Sequence, residues 1–155
     1  MVIRFVLPGD PKGKQRPKFS TQGGFARAVT PKETINYENY VRMQYQAQCG
    51  EAFSEANVPI FVLIDAYYTI PKSTSKKQKA LMLAGVVRPT KKPDFDNLGK
   101  IICDSLNGIA YHDDAAVVDG RVRKYFSEKP RVEVFISDQE INTKIIDERR
   151  NTHDA

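Results

Sequence analysis

Apolar side chains at positions 98, 101, 102 and 106 recur at the spacing of one helical face, and Gly108 stands where a left-handed cap would end the helix. A helix with an aliphatic stripe must lay that stripe on another layer, so this segment demands a partner surface. The chain offers one. Pro59 to Ile70 is rich in β-branched and aromatic residues and is closed by Pro71, the pattern of a central strand. Met1 to Leu7 predicts a first strand, broken by Pro8-Gly9-Asp10-Pro11. Gly23-Gly24, between Phe19-Ser20 and Phe25 to Val29, predicts a short hairpin, and Thr30-Pro31 starts a helix ending near Gly50. Ser73 to Ser75 can cap a short basic helix ending near Gly85. Val117 to Phe126 and Arg131 to Ile136 alternate in polarity across Ser127-Glu128-Lys129-Pro130 and predict a second hairpin. The order strand, helix, strand, helix, helix, strand, strand predicts an α+β fold, a single domain with a mixed β-sheet packed with helices. Residues 1–137 are expected to form that domain, with 138–155 as a C-terminal helix or tail.

No apolar run approaches the roughly 20 residues that a membrane span requires. Cys49 and Cys103 have neither the number nor the spacing of a disulfide framework or zinc site, and the N-terminus lacks a signal peptide, so a cytoplasmic location is expected. The formal charge of +5 is unevenly spread: residues 1–32 hold seven Lys or Arg against one Asp, so the other 123 residues sum to −1. Lys12, Lys14, Arg16 and Lys18 crowd one loop, the footprint expected of a phosphate-backbone binder. The tyrosines of the first helix, Tyr37, Tyr40 and Tyr45, are expected in the core or at a dimer face rather than stacked on bases.

Asp94-Phe95-Asp96 precedes the amphipathic helix, so Asp96 is expected to cap it and Asp94, two residues back in extended chain, to point to the same side. Asp96, Lys100 and Asp104, four apart, form a polar line facing away from the core. Asp113 and Asp114 lie just before the apolar run at Val117, and strand pairing could return an acidic group to the helix start. Carboxylates gathered in one pocket repel unless they protonate or bind a cation, and hard oxygen ligands select Mg²⁺, Mn²⁺ or Ca²⁺ over zinc. Mg²⁺ is the expected ion, with Mn²⁺ as a substitute, and the chemistry such a site supports is phosphodiester hydrolysis. Lys100, one turn into the helix, could stabilise charge on the phosphate or orient water. Each feature also has a structural reading: a cap, a surface ion pair and a turn. An EF-hand counted from Asp94 fails, because Leu98, Lys100 and Ile102 fall where oxygen ligands belong. Gly9 to Lys14 fails as a P-loop, its first gap being one residue short and Gln15 replacing the hydroxyl residue. His112 reads as a solvated loop side chain and Cys103 as a small buried hydrophobe. Gly99, inside the helix, suggests close backbone approach.

The run Lys92-Pro93-Asp94-Phe95-Asp96-Asn97-Leu98-Gly99-Lys100, continued by Asp104-Ser105-Leu106-Asn107-Gly108 and then Asp113-Asp114, resembles the signature of the RusA-type Holliday junction resolvases, as does Pro11-Lys12-Gly13-Lys14-Gln15-Arg16-Pro17. The resemblance implies a RusA-like α+β fold and a homodimeric, Mg²⁺-dependent endodeoxyribonuclease that resolves four-way DNA junctions by paired symmetrical nicks in recombination and repair. It implies Asp94, Asp96 and Asp114 as metal-binding catalytic carboxylates, Lys100 as the catalytic basic residue, and Asp104 and Asp113 as supporting acids. No organic cofactor and no membrane partner are expected. A junction has approximate two-fold symmetry, so a two-fold dimer can present one site to each of two opposing strands. Pro93 and Ala116 depart from residues common in the family. The alternatives are a non-catalytic branched-DNA-binding protein and a general flap or single-strand nuclease.

Overall fold

Strand β4 (Ile60–Thr69) is buried on both faces over most of its length, because it has a neighbour on each edge and a layer above and below. The computed structural model describes residues 1–153. In chain order the elements are β1 (Val2–Pro8), β2 (Lys18–Ser20), β3 (Arg27–Val29), α1 (Lys32–Gln48), β4, α2 (Lys76–Leu83), α3 (Phe95–Leu106), β5 (Val117–Ser127), β6 (Arg131–Ser137) and α4 (Thr143–His153), with a 3₁₀ turn at Asp114–Ala116. The main sheet runs β1-β6-β4-β5. Strand β6 is antiparallel to β1 and β4, and β5 is parallel to β4, so the sheet is mixed, as expected. A separate ribbon pairs β2 with β3 across Gly23 and Gly24, both at positive φ.

One expectation fails. Strands β5 and β6 do not form a hairpin; β4 lies between them, and Tyr67 aligns with Tyr125 on one side and Arg131 on the other. The cause is the burial of β4 on both faces, which cuts its backbone N–H and C=O groups off from water, so each edge needs a pairing strand. The link 128–130 has only to cross the end of one strand, a span of roughly 10 Å that it can reach. The parallel return from β4 to β5 carries α2 and α3 as its crossover.

Local signals set the helix ends. Ser75 caps α2 by accepting from the Gln78 N–H at 3.2 Å. Gly50, Gly85 and Gly108 take positive φ just beyond α1, α2 and α3. Leu98, Ile101, Ile102 and Leu106 of α3 are each at most 1% exposed and join Val41 and Tyr45 of α1 in one core with Val62, Ile64 and Ala66 of β4. Burying each aliphatic side chain contributes about 1.5–3 kcal/mol relative to exposure.

The opposite sheet face is built differently. Register places Glu133, Asp65 and Arg123 in one row across β6, β4 and β5, and Arg131, Tyr67 and Tyr125 in the next. Asp65 has no exposure and accepts two bonds from Arg123, at 2.6 and 2.7 Å. Burial lifts the Asp65 carboxyl above its ordinary value against the pull of Arg123; Arg123, whose burial works the other way, is raised well beyond the ordinary guanidinium by Asp65. The bidentate geometry favours the ionised pair. Arg123 also reaches Asp147 of α4, at 3.1 Å, so the C-terminal segment is a helix tied to the sheet.

Asp65→Asn removes one partner of a buried pair and leaves Arg123 under-compensated; the expected loss of unfolding free energy in urea is about 3–5 kcal/mol.

Candidate functional site

The sequence Pro93-Asp94-Phe95 turns the chain from a loop into α3. Asp94, not Asp96, is the N-cap: its backbone is extended at φ −71 and ψ 155, and its carbonyl accepts from the Leu98 N–H at 3.0 Å. The helix starts two residues earlier than the sequence suggested, because Phe95 and Asp96 already hold helical geometry. The Asp94 carboxylate makes no capping hydrogen bond, and Asp96 sits in the first turn, where negative charge is favoured by the helix dipole. Both side chains are exposed. Among the described residues neither Asp96 nor Lys100 has a hydrogen-bond or ion-pair partner for its side chain. Tyr68 anchors this corner, donating to the Pro93 carbonyl at 2.7 Å; burial, with the Asp94 charge, pushes its phenol up to about 12. Burial lowers the Lys124 ammonium, and the nearby Asp94 charge opposes that shift.

Asp96 and Lys100 line a cavity of about 200 Å³ between α3 and the edge strand β5, with Phe95, Cys103, Gly120 and Arg121. Gly99 faces Val122 here. A methyl group at 99 would stand 3.5 Å from its side chain, an ordinary separation, so close backbone approach does not account for this glycine.

The other acids lie at the far end of the helix. Asp114 opens the 3₁₀ turn, and its N–H donates to Asn107 Oδ1 at 3.1 Å. Asp113 accepts from the Ala115 N–H at 3.0 Å, which holds its carboxyl below the ordinary value, while its hydrogen bond and charge, with the charge of Asp104, raise that of Asp114. Asp94 and Asp114 therefore stand at opposite ends of a helix of 12 residues, about 18 Å long. Among the described residues no three His, Cys, Asp or Glu side chains gather at metal-binding spacing. The expected meeting of 94, 96 and 114 is not formed within this chain. The physical reason is local: Asn107 ties Asp114 seven residues on, and β5 then runs back alongside α3 toward Asp94.

The basic loop lies against α3. The Lys14 N–H donates to the Asn97 carbonyl at 3.0 Å, and the Gln15 N–H donates to Thr34 Oγ1 of α1 at 3.3 Å. Gly13 fits because it lacks a side chain: a Cβ there would stand 2.8 Å from Pro93 Cβ and 3.1 Å from Asn97 Cβ. Lys12, Arg16 and Lys18 are exposed. Lys14, read from the sequence as a phosphate contact, turns inward and bridges Glu38 at 2.9 Å and Asp104 at 3.1 Å, because the loop is clasped between α1 and α3. Glu38 was not singled out in the sequence; its only signal was Arg42, four residues on, which pairs with it at 3.4 Å. Asn107, the anchor of Asp114, read only as a turn residue.

Gly13→Ala is expected to cost about 1–3 kcal/mol in urea unfolding, because two Cβ atoms must part. It should also shift the amide resonances of 93–97, whereas Lys12→Ala should leave both unchanged.

Residues 8–137 match the family profile described as "Endodeoxyribonuclease RusA". The chain is also 37% identical over 136 residues to a Bacillus subtilis (strain 168) protein, "Uncharacterized protein YqaN", covering 86% of this chain and 94% of that one. The acidic start of α3, the Lys100 beside it and the basic loop clasped against them all fall within the matched span, and the chain belongs to the RusA family of endodeoxyribonucleases.

Proposed function

We propose that the protein is a Mg²⁺-dependent endodeoxyribonuclease that resolves four-way DNA junctions by paired symmetrical nicks, acting as a homodimer. The observation that carries this reading is the pair of exposed carboxylates, Asp94 and Asp96, at the start of α3, with unpaired Lys100 one turn on and Lys12, Arg16 and Lys18 nearby in the chain's most basic segment. Mg²⁺ is commonly held by one or two carboxylates together with waters and substrate phosphates, so Asp94 and Asp96 suit it without a complete protein cage. Such an ion would activate water and offset charge on the phosphodiester. Lys100 places a fixed positive charge where the scissile phosphate gains negative charge. Lys12, Arg16 and Lys18 hold the strands by their phosphates, and Lys14 positions Asp104 and Glu38. The motif adds Asp114, with Asp113 and Asp104 in support, to this set, which requires the turn at 107–116 to carry Asp114 toward Asp94 and Asp96 when metal and DNA bind. The two-fold symmetry of a junction matches that of a dimer, one site per cut strand.

A second reading is a junction-binding protein without catalysis, and the separation of Asp114 from Asp94 and Asp96 favours it. Tight junction binding with no nicking at any Mg²⁺ or Mn²⁺ concentration would establish that alternative. Linear or flapped DNA cut as fast as junctions would instead mark a general nuclease.

With a synthetic four-way junction and Mg²⁺, Asp96→Asn is expected to lower the cleavage rate by roughly a hundredfold or more while junction binding persists. Equal cleavage by this variant and the unaltered protein would remove Asp96 from the site. Neutral substitutions at Lys12, Arg16 and Lys18 should lower the slope of log affinity against log salt by about 0.9 for every phosphate no longer neutralised. Lys14→Met should change that slope less, because its charge is already matched by two carboxylates.

A further inference from the structure

A cavity of about 360 Å³ opens on the sheet face opposite α3, beneath α4. Arg4, Arg131, Arg149 and Arg150 line it with Glu133, and Phe135 of the sheet and Ile146 of α4 add apolar surface. Register explains the gathering: Arg4 of β1 aligns with Phe135 of β6, Arg131 of β6 aligns with Tyr67 of β4, and α4 adds Ile146, Arg149 and Arg150 from above.

Stacking fixes the guanidinium planes and leaves their edges able to bind. Arg131 lies over the Tyr67 ring at 3.9 Å and Arg150 over the Tyr125 ring at 4.2 Å. Arg131 spends Nε on Glu133 and Nη1 on Ser127 Oγ and the Lys129 carbonyl, so Nη2 is the donor left over. Nη1 of Arg150 is buried and faces Asp147 Oδ1 at 3.9 Å, an oxygen that lies closer, at 3.1 Å, to Arg123. Across the cavity and the network behind it, and leaving Arg149 aside, four guanidiniums (Arg4, Arg123, Arg131, Arg150) face three carboxylates (Asp65, Glu133, Asp147), so positive charge is in surplus. Half-enclosed surplus charge and the spare Nη2 of Arg131 call for an anion with several acceptor oxygens. Phosphate meets that requirement better than a carboxylate, because its oxygens can accept from guanidiniums on more than two sides.

We propose that this cavity binds a phosphate group, carried either by the backbone of a nucleic-acid strand or by a free nucleotide. The site is independent of the proposed nuclease centre. Its α4 residues lie outside the span 8–137 that matches the family.

Isothermal titration of the full chain with inorganic phosphate, a 5′-mononucleotide and a single-stranded oligonucleotide tests the proposal. Arg4→Gln combined with Arg149→Gln, both at side chains open to solvent, should weaken phosphate binding by at least about tenfold while circular dichroism stays unchanged. Arg4→Lys should retain most of the binding, and combined Gln substitutions at Lys12, Arg16 and Lys18 should leave it intact. Tighter binding of the mononucleotide than of the oligonucleotide assigns a free nucleotide, and the reverse assigns a strand backbone. The proposal is overturned if phosphate fails to bind, if the folded double variant binds as well as the unaltered protein, or if succinate binds as tightly as phosphate.

Discussion

The acidic start of α3 and the basic loop beside it are oriented by the packing of one helix face onto one sheet face. Leu98, Ile101, Ile102 and Leu106 are sealed against the core, and that packing leaves no rotational freedom to α3. Asp94, Asp96 and Lys100 point outward because the inner face is taken. The basic loop is held to the same helix by backbone hydrogen bonds and by the absence of a side chain at Gly13. The spacing between the outward carboxylates and the basic loop is thus a property of the core rather than of flexible side chains.

The two sheet faces use opposite strategies. On the α1 and α3 side, apolar burial does the stabilising, and charge is confined to a rim where Lys14 links Glu38 and Asp104. On the α4 side, arginines stacked on tyrosines and paired with Asp65, Glu133 and Asp147 fill the space that aliphatic side chains would occupy elsewhere. An ionic layer of this kind is most sensitive at the Asp65–Arg123 pair, where removing either member strands the other away from water. An aliphatic layer yields more gradually.

Much of this was legible in the sequence. The stripe of α3, the apolar run of β4, the cap at Ser75 and the glycines past the helix ends all encode their structure within a few residues, and each element forms where those signals lie. What the sequence hid was non-local. Nothing between Val117 and Ile136 reveals that β4 divides the two strands, since that depends on the demands of residues some sixty positions earlier. The motif marks Asp94, Asp96 and Asp114 together, yet the chain carries them to opposite ends of α3, a separation set by Asn107 and the course of β5. Lys14 looked like its basic neighbours and is distinguished only by the carboxylates that tertiary packing brings to it. Asp65, a lone acid in an apolar strand, was a signal of buried pairing that the pattern of β-branched neighbours masked.

The placement of β4 between β5 and β6 also bears on how the chain acquires its structure during synthesis. The consecutive strands β4 and β5 pair in parallel across a crossover of two helices, and β5 and β6 do not pair, so no local turn can seed the main sheet. A nascent chain that has emerged only as far as the end of α3 holds β1 and β4 without their partners β5 and β6, their backbone edges and apolar faces open. Closure waits for the last third of the polypeptide, and until then the emerging protein depends on helix packing, or on chaperones, to shield the strands that become its centre.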